Sequence, residues 1–300
     1  MKPRETHKRS IGTLLAALGL VLFVTGCASA PTPTRSSRPG SRPILIIPGP
    51  ARAISASAPN HQGLMWVLAG NRSAKTLHLI DLPKRSTTTV EPASSAAVAI
   101  ASAQNGWLGV GTATATTGAL QLWSEPGKAL LSTVAVSAPV LAVAAAGSRF
   151  YVLNGTASAA SVAIVDSATK SLVGSIPAPS GAVAIAPSPG GKSLWVLRSD
   201  GLLDQVILAS GRVFVQFGTG AGGPARALAA APDGSSLYVL KSRGAVSSVA
   251  IVQVATEAVT RVLPAPAGAV DLVLSPGGGT LYDLVGTPAV GNLQAFALGR

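Results

Sequence analysis

The sequence predicts an all-β protein: a six-bladed β-propeller of four-stranded antiparallel blades, closed by its N-terminal strand. Three observations predict it. Short segments bearing one aromatic residue recur with a period in the low forties. Turn chemistry separates apolar runs rich in Val, Ile and Thr. The last repeat stops after its third strand, and a spare strand precedes the first repeat.

The first 26 residues read as an export signal. Lys2, Arg4, Lys8 and Arg9 form a positive head, and residues 11–26 form an uncharged apolar run of 16 residues. That run is shorter than the ~20 residues a spanning helix needs. Val24-Thr25-Gly26-Cys27 follows, and Cys27 is the single cysteine of the chain. This segment resembles the lipobox of bacterial lipoproteins. The resemblance implies a diacylglycerated, palmitate-type acylated Cys27, cleavage before it, and Cys27 as the mature N-terminus. Each buried CH₂ of such chains contributes roughly 0.8 kcal/mol, so several chains hold a protein at a membrane. An uncleaved anchor or an ordinary signal peptide are the other readings.

Residues 27–42 then form a tether rich in Pro, Ser, Thr and Ala, with Arg35, Arg38 and Arg42. At about 3 Å per residue it reaches up to about 45 Å, and its arginines favour anionic head groups. Removing the four cations and Glu5 of the signal lowers the formal charge from +12 to +9, and removing the tether leaves +6 on residues 43–300. No dense basic cluster with interleaved aromatics remains, which argues against nucleic-acid binding.

Residues 43–300 carry the repeat. The aromatic residues are Trp66, Trp107, Tyr151, Trp195, Tyr238 and Tyr282, spaced 41, 44, 44, 43 and 44 apart. That period matches one propeller blade. Ahead of the aromatic strand, residues 182–197, 227–240 and 269–284 share a strand, a Pro/Gly turn and the aromatic strand. After it come two further apolar-alternating runs around a polar turn, clearest at residues 161–176. The Ala-rich stretch 93–103 aligns with a first strand and is read as strand, not helix. Residues 43–50, PILIIPGP, supply the strand that residues 292–298 lack, so the ring closes through both chain ends and removes an open edge.

Ala231-Pro232-Asp233-Gly234 with Leu237-Tyr238-Val239, and Val162 to Ile176 with Val165-Asp166 and Thr169, resemble the YVTN/YncE-type β-propeller repeat. The resemblance covers about residues 43–300 and is weakest in the first two repeats. It implies the fold, and such families often carry seven blades where this chain shows six.

Propellers bind at the rim of the central channel. The rim loops are expected near residues 49–52, 91–96, 137–140, 177–181, 218–226 and 264–271. Their charged members are Arg52, Glu91, Arg226 and Asp271. Arg52 in ARAIS and Arg226 in ARALA align as repeat equivalents. Two guanidiniums facing one funnel hold a carboxylate or phosphate; otherwise they are solvated rim charges. Asp283 replaces the Val that follows the aromatic in four other repeats. Buried, it needs partners. It then pins the ring closure or sits in a site; otherwise the last blade is frayed there and the carboxylate is wet.

His61 and His78 show no spaced carboxylates, so no metal site is assigned. Asp200 and Asp204 lack the series of a calcium loop, and Gly218 to Gly223 lacks the βαβ context of a phosphate loop. Asp81 and Asp166 recur ahead of polar turns and read as turn caps. The inner strands are mostly Ala, Val, Leu, Ile and Ser, which argues against an enzyme and any cofactor.

The functional expectation is a monomeric cell-envelope lipoprotein, lipid-anchored to the cell membrane or outer membrane on its extracytoplasmic side. Its propeller is expected to be a non-catalytic platform for an envelope protein or a small ligand. Alternatives are a propeller-type periplasmic hydrolase or lactonase, and a sensor lipoprotein acting on a membrane kinase.

Overall fold

The computed structural model describes residues 43–298 except 126–128, 157, 221, 222 and 244. The signal peptide, Cys27 and the tether therefore lie outside the described residues. The described residues form six four-stranded antiparallel sheets. Blades 1 to 5 take consecutive strands from residues 53–93, 97–136, 140–178, 182–218 and 225–265. Blade 6 takes three strands from residues 269–297 and its outermost strand, Leu45–Gly49, from the start of the domain.

That closing strand pairs antiparallel with Gly291–Ala297, Leu45 opposite Ala295 and Gly49 opposite Gly291. Ile47 is fully buried in this seam, packed in one cluster with Met65, Val67 and Ile80 of blade 1 and Leu284 and Leu293 of blade 6. Head and tail thus meet in one sheet, and that sheet packs on blade 1.

The first strand of each blade is innermost. These inner strands are Ala53–Ala56, Ala97–Ala103, Val140–Ala146, Ala182–Pro187, Ala225–Ala230 and Ala269–Leu274. Each contacts its neighbours around the ring. One face of the disc carries the turns between first and second and between third and fourth strands, here the turn face. The opposite, crossover face carries the passages from one blade to the next.

Six hydrophobic clusters fill the six blade–blade interfaces. Alternation along each second strand sends successive side chains into the two flanking interfaces. The repeated aromatic packs toward the following blade, as Trp66, Tyr151, Trp195, Tyr238 and Tyr282 show. Trp195 also meets Phe217 at a centroid distance of 5.7 Å.

Blade 2 departs from the sequence alignment. In Trp107–Ala113 the residue in register with the aromatic is Gly109, which pairs with Ala101 as Tyr151 pairs with Ala144. Trp107 sits two residues earlier, half-buried at the turn face, with Lys170 Nζ 5.7 Å from its ring centroid. The space that the missing ring leaves is filled from blade 3. A Cβ on Gly109 would lie 2.6 Å from Phe150, which is fully buried in the interface between blades 2 and 3.

The polar turns behave as their sequence predicts. Asp81 Oδ1 accepts from the Lys84 N–H at 2.9 Å, and Asp166 Oδ1 accepts from the Ala168 and Thr169 N–H groups at 2.9 and 3.0 Å. The Lys84 ammonium first, and its N–H second, hold the Asp81 carboxyl below the usual carboxylate range, and the backbone N–H groups do the same for Asp166.

Candidate functional site: the central channel

The six inner strands enclose a channel of about 870 Å³. Its wall is built mainly of Ala, Val, Leu and Ser. Every inner strand has an irregularity near its start: the first residue pairs normally, the next is extruded, and pairing resumes. Such bulges re-aim one side chain per strand. The extruded residues are Ile54, Val98, Leu141, Val183, Arg226 and Val270, and all line the channel. Together they form a collar at the crossover-face mouth, five branched aliphatics and one exposed arginine.

This register corrects the pairing of Arg52 with Arg226. Ala225 pairs with Lys241 as Ala53 pairs with Ala69, so the structural equivalent of Arg226 is Ile54. Arg52 belongs to the turn before blade 1, with φ 58°, and lies outside the channel lining. Its N–H donates to Thr287 O, and its carbonyl accepts from the Gly70 N–H. Glu91 is likewise displaced from the rim. It lies in the outermost strand Ser86–Ala93 of blade 1, opposite Leu77, because that strand runs past the point where the loop was expected.

Asp271 lines the channel, but its carboxylate is turned along the wall toward blade 1. Oδ2 accepts from the Ser55 hydroxyl at 3.0 Å and the Ala56 N–H at 2.9 Å, and Oδ1 accepts from the Leu272 N–H at 2.8 Å. Ser55 Oγ in turn accepts from the Ile100 N–H of blade 2 at 3.3 Å. One polar chain therefore links blades 6, 1 and 2 across the closure. Burial pushes the Asp271 carboxyl up to about 6, against the pull of these hydrogen bonds.

Asp283 is 1% exposed, so the frayed, wet reading does not hold. Tyr282 and Leu284 pack toward blade 1. Alternation then turns Asp283 toward blade 5, away from the closing strand it was expected to pin. Its Oδ1 has no hydrogen-bond partner. Burial first, and the Asp271 charge second, push its carboxyl up to about 7.

Lys241 escaped the sequence reading, and so did the burial of Asp204, considered there only as part of a calcium loop. Lys241, 1% exposed, follows Tyr238 by three residues, and its Nζ donates to Thr219 O at 2.8 Å and to Gly220 O. Burial pulls its ammonium down. Asp204, fully buried, accepts from Gln216 Nε2, leaves Oδ2 unpartnered, and is pushed up chiefly by burial. Both break the apolar alternation of their strands, the signal that singled out Asp283. His78 is held by the Thr76 and Thr89 hydroxyls at 2.7 and 3.2 Å. Among the described residues no three His, Cys, Asp or Glu side chains group as metal ligands.

No protein-family model and no curated protein matches this chain. Its likeness is to solved structures. A chain in the crystal structure of a mitotic checkpoint complex superposes with a TM-score of 0.65 at 12% identity, covering 94% of this chain and 99% of that one. The β-propeller domain of Myceliophteria thermophila Cps50 (Swd1) gives 0.63 at 11% identity, covering 87% and 100%. Kuenenia stuttgartiensis hydrazine synthase gives 0.56 at 17% identity, covering 77% and 73%. At these identities the likeness is one of fold: the chain is a six-bladed β-propeller.

Proposed function

We propose that this chain is a cell-envelope lipoprotein of YncE-like repeat type, anchored through Cys27, whose propeller is a non-catalytic binding platform. The observation that carries the binding part is the collar. Five exposed or half-buried aliphatics surround a channel mouth whose single charged member is Arg226. An aliphatic rim with one guanidinium favours an apolar group that carries or adjoins a carboxylate. A rigid disc whose blades are locked by buried interfaces presents that mouth without an ordering cost on binding. The mitotic checkpoint chain comes from a complex, in keeping with a protein partner for this one. The anchoring part rests on Val24-Thr25-Gly26-Cys27 and the cationic head before it.

The hydrolase reading draws on Asp271 and Asp283, two raised carboxyls near one wall. Asp271 spends its oxygens on three donors, two of them in blade 1, and Asp283 faces an interface rather than the channel. Both therefore read as parts of the ring.

The anchor is tested by expressing wild type and Cys27→Ser with radiolabelled palmitate in a bacterial host. Label in the wild type alone supports it, and label in neither removes it. The collar is tested with a photo-crosslinking residue placed at Leu141 in intact cells. A discrete adduct lost with Arg226→Ala but kept with Arg52→Ala is expected. An adduct indifferent to Arg226 would remove the collar.

A further inference from the structure

The outermost strands distribute apolar surface unevenly around the ring. In blades 2, 3 and 4 the two residues just after the third-to-fourth turn are Leu130-Leu131, Leu172-Val173 and Val213-Phe214, all exposed, Phe214 by 73%. They occupy matching registers, Leu130 opposite Trp123, Leu172 opposite Val165 and Val213 opposite Val206. Blade 1 has Thr87 and Thr88 at these places, and blade 5 has a half-buried Val259 and Thr260. Blade 6 carries single exposed isoleucines, Ile44 at this end and Ile46 further along its outermost strand, and not an adjacent pair. The apolar pairs thus form one arc over three consecutive blades, on the turn-face side.

The same arc is cationic. Arg149 and Lys192 flank the first-to-second turns of blades 3 and 4, and Lys170 and Arg212 lie in their third-to-fourth turns, all four exposed. Two acids lie nearby: Asp166, kept ionised by the two backbone N–H groups it accepts, and half-buried Glu125 of blade 2, whose carboxyl is pushed up by burial, so the four cations outnumber them. Trp107, the ring that left the core alignment, lies here under Lys170. Exposed aliphatics, an aromatic and basic side chains together match the chemistry of an anionic bilayer surface. The described chain also begins on this face: Ile44 N–H donates to Ala295 O near the turn-face end of the last strand, with 42 residues preceding Pro43.

We propose that the arc of Leu130-Leu131, Leu172-Val173 and Val213-Phe214, with its four cations, docks the propeller on an anionic lipid surface. The turn face then lies against the membrane, and the crossover face with the Arg226 collar points away from it. This rests on the membrane location proposed above, but not on acylation of Cys27.

The test uses the full chain with Cys27→Ser, which removes the one native thiol. Single cysteines Phe214→Cys and Leu172→Cys probe the arc. Val246→Cys and Val290→Cys probe the crossover face, where Val246 opens the third strand of blade 5 and Val290 lies in the second-to-third turn of blade 6, both exposed. Each carries a bimane label on vesicles of phosphatidylglycerol and phosphatidylcholine with brominated acyl chains. The arc labels are expected to be quenched several-fold more strongly than the crossover-face labels, with the difference lost on phosphatidylcholine alone. Each basic residue near an anionic surface strengthens attachment by roughly fivefold. Lys192→Ala with Arg212→Ala should therefore weaken vesicle binding by an order of magnitude or more. Equal quenching at both faces, stronger quenching at Val290, or no quenching anywhere overturns the proposal. Palmitate labelling reads acylation separately, so the two failures are distinguishable.

Discussion

At the residue scale, Asp283 is a costly side chain to bury. Valine stands at its position in Trp66-Val67, Tyr151-Val152, Trp195-Val196 and Tyr238-Val239, and the carboxylate gains no partner at Oδ1 in exchange. Its pKa of about 7 lies above its unfolded value, and so does the Asp271 value of about 6. Between about pH 4 and pH 7 the folded chain holds protons that the unfolded chain has released, so stability falls as pH rises through that window. Asp283→Val should raise unfolding free energy at pH 8 by about 2–4 kcal/mol and by much less at pH 5. Urea titrations at both pH values check this; equal gains at both would show that ionisation is not the cost. The oddity of Asp283 was legible in the sequence because it breaks a repeated pattern. The direction it faces was not, because that depends on which neighbouring blade each alternate side chain meets.

At the scale of elements, bulges and register decide what the repeat alone leaves open. The sequence aligned Trp107 with the other aromatics because it is the ring nearest the expected phase. Pairing puts Gly109 there instead, since Phe150 of blade 3 already occupies the space. Gly109→Ala should therefore overpack the interface and cost about 1–3 kcal/mol. Adding Phe150→Leu should return part of that loss, because the smaller side chain vacates the clash. A double-mutant cycle by chemical denaturation reads this coupling; additive losses would place Phe150 elsewhere. Register also explains why ARAIS and ARALA misled. The shared letters ARA fall two residues apart in the two inner strands, which puts Arg226 in the channel and Arg52 in a turn. The inner-strand link is testable as well. Ser55→Ala removes a donor to Asp271 and should cost about 1–3 kcal/mol, as expected where a buried acceptor loses a partner. Ser57→Ala offers a comparison on the same strand end, outside the Asp271 chain.

At the scale of the whole molecule, most of the architecture was readable. Blade number, strand content and the use of residues 43–50 as the last outer strand all follow from a forty-odd-residue rhythm and a count that ends one strand short. The site was less readable, because a channel mouth is assembled from six distant places whose register shifts by single residues. The exposed pairs on blades 2 to 4 were also hidden, since Leu and Val after a turn look like any strand until the outermost position is known. Closure ties these levels together: the Asp271 chain, the Ile47 seam and the collar geometry all require head and tail to share a sheet. The most direct test places cysteines at a facing pair across that seam, Ile46→Cys with Gln294→Cys in a Cys27→Ser background. Mild oxidation followed by mass spectrometry should give an intramolecular disulfide in nearly every monomer. Free thiols throughout, or bridges only between chains, would mean that the ring is not closed by its first strand.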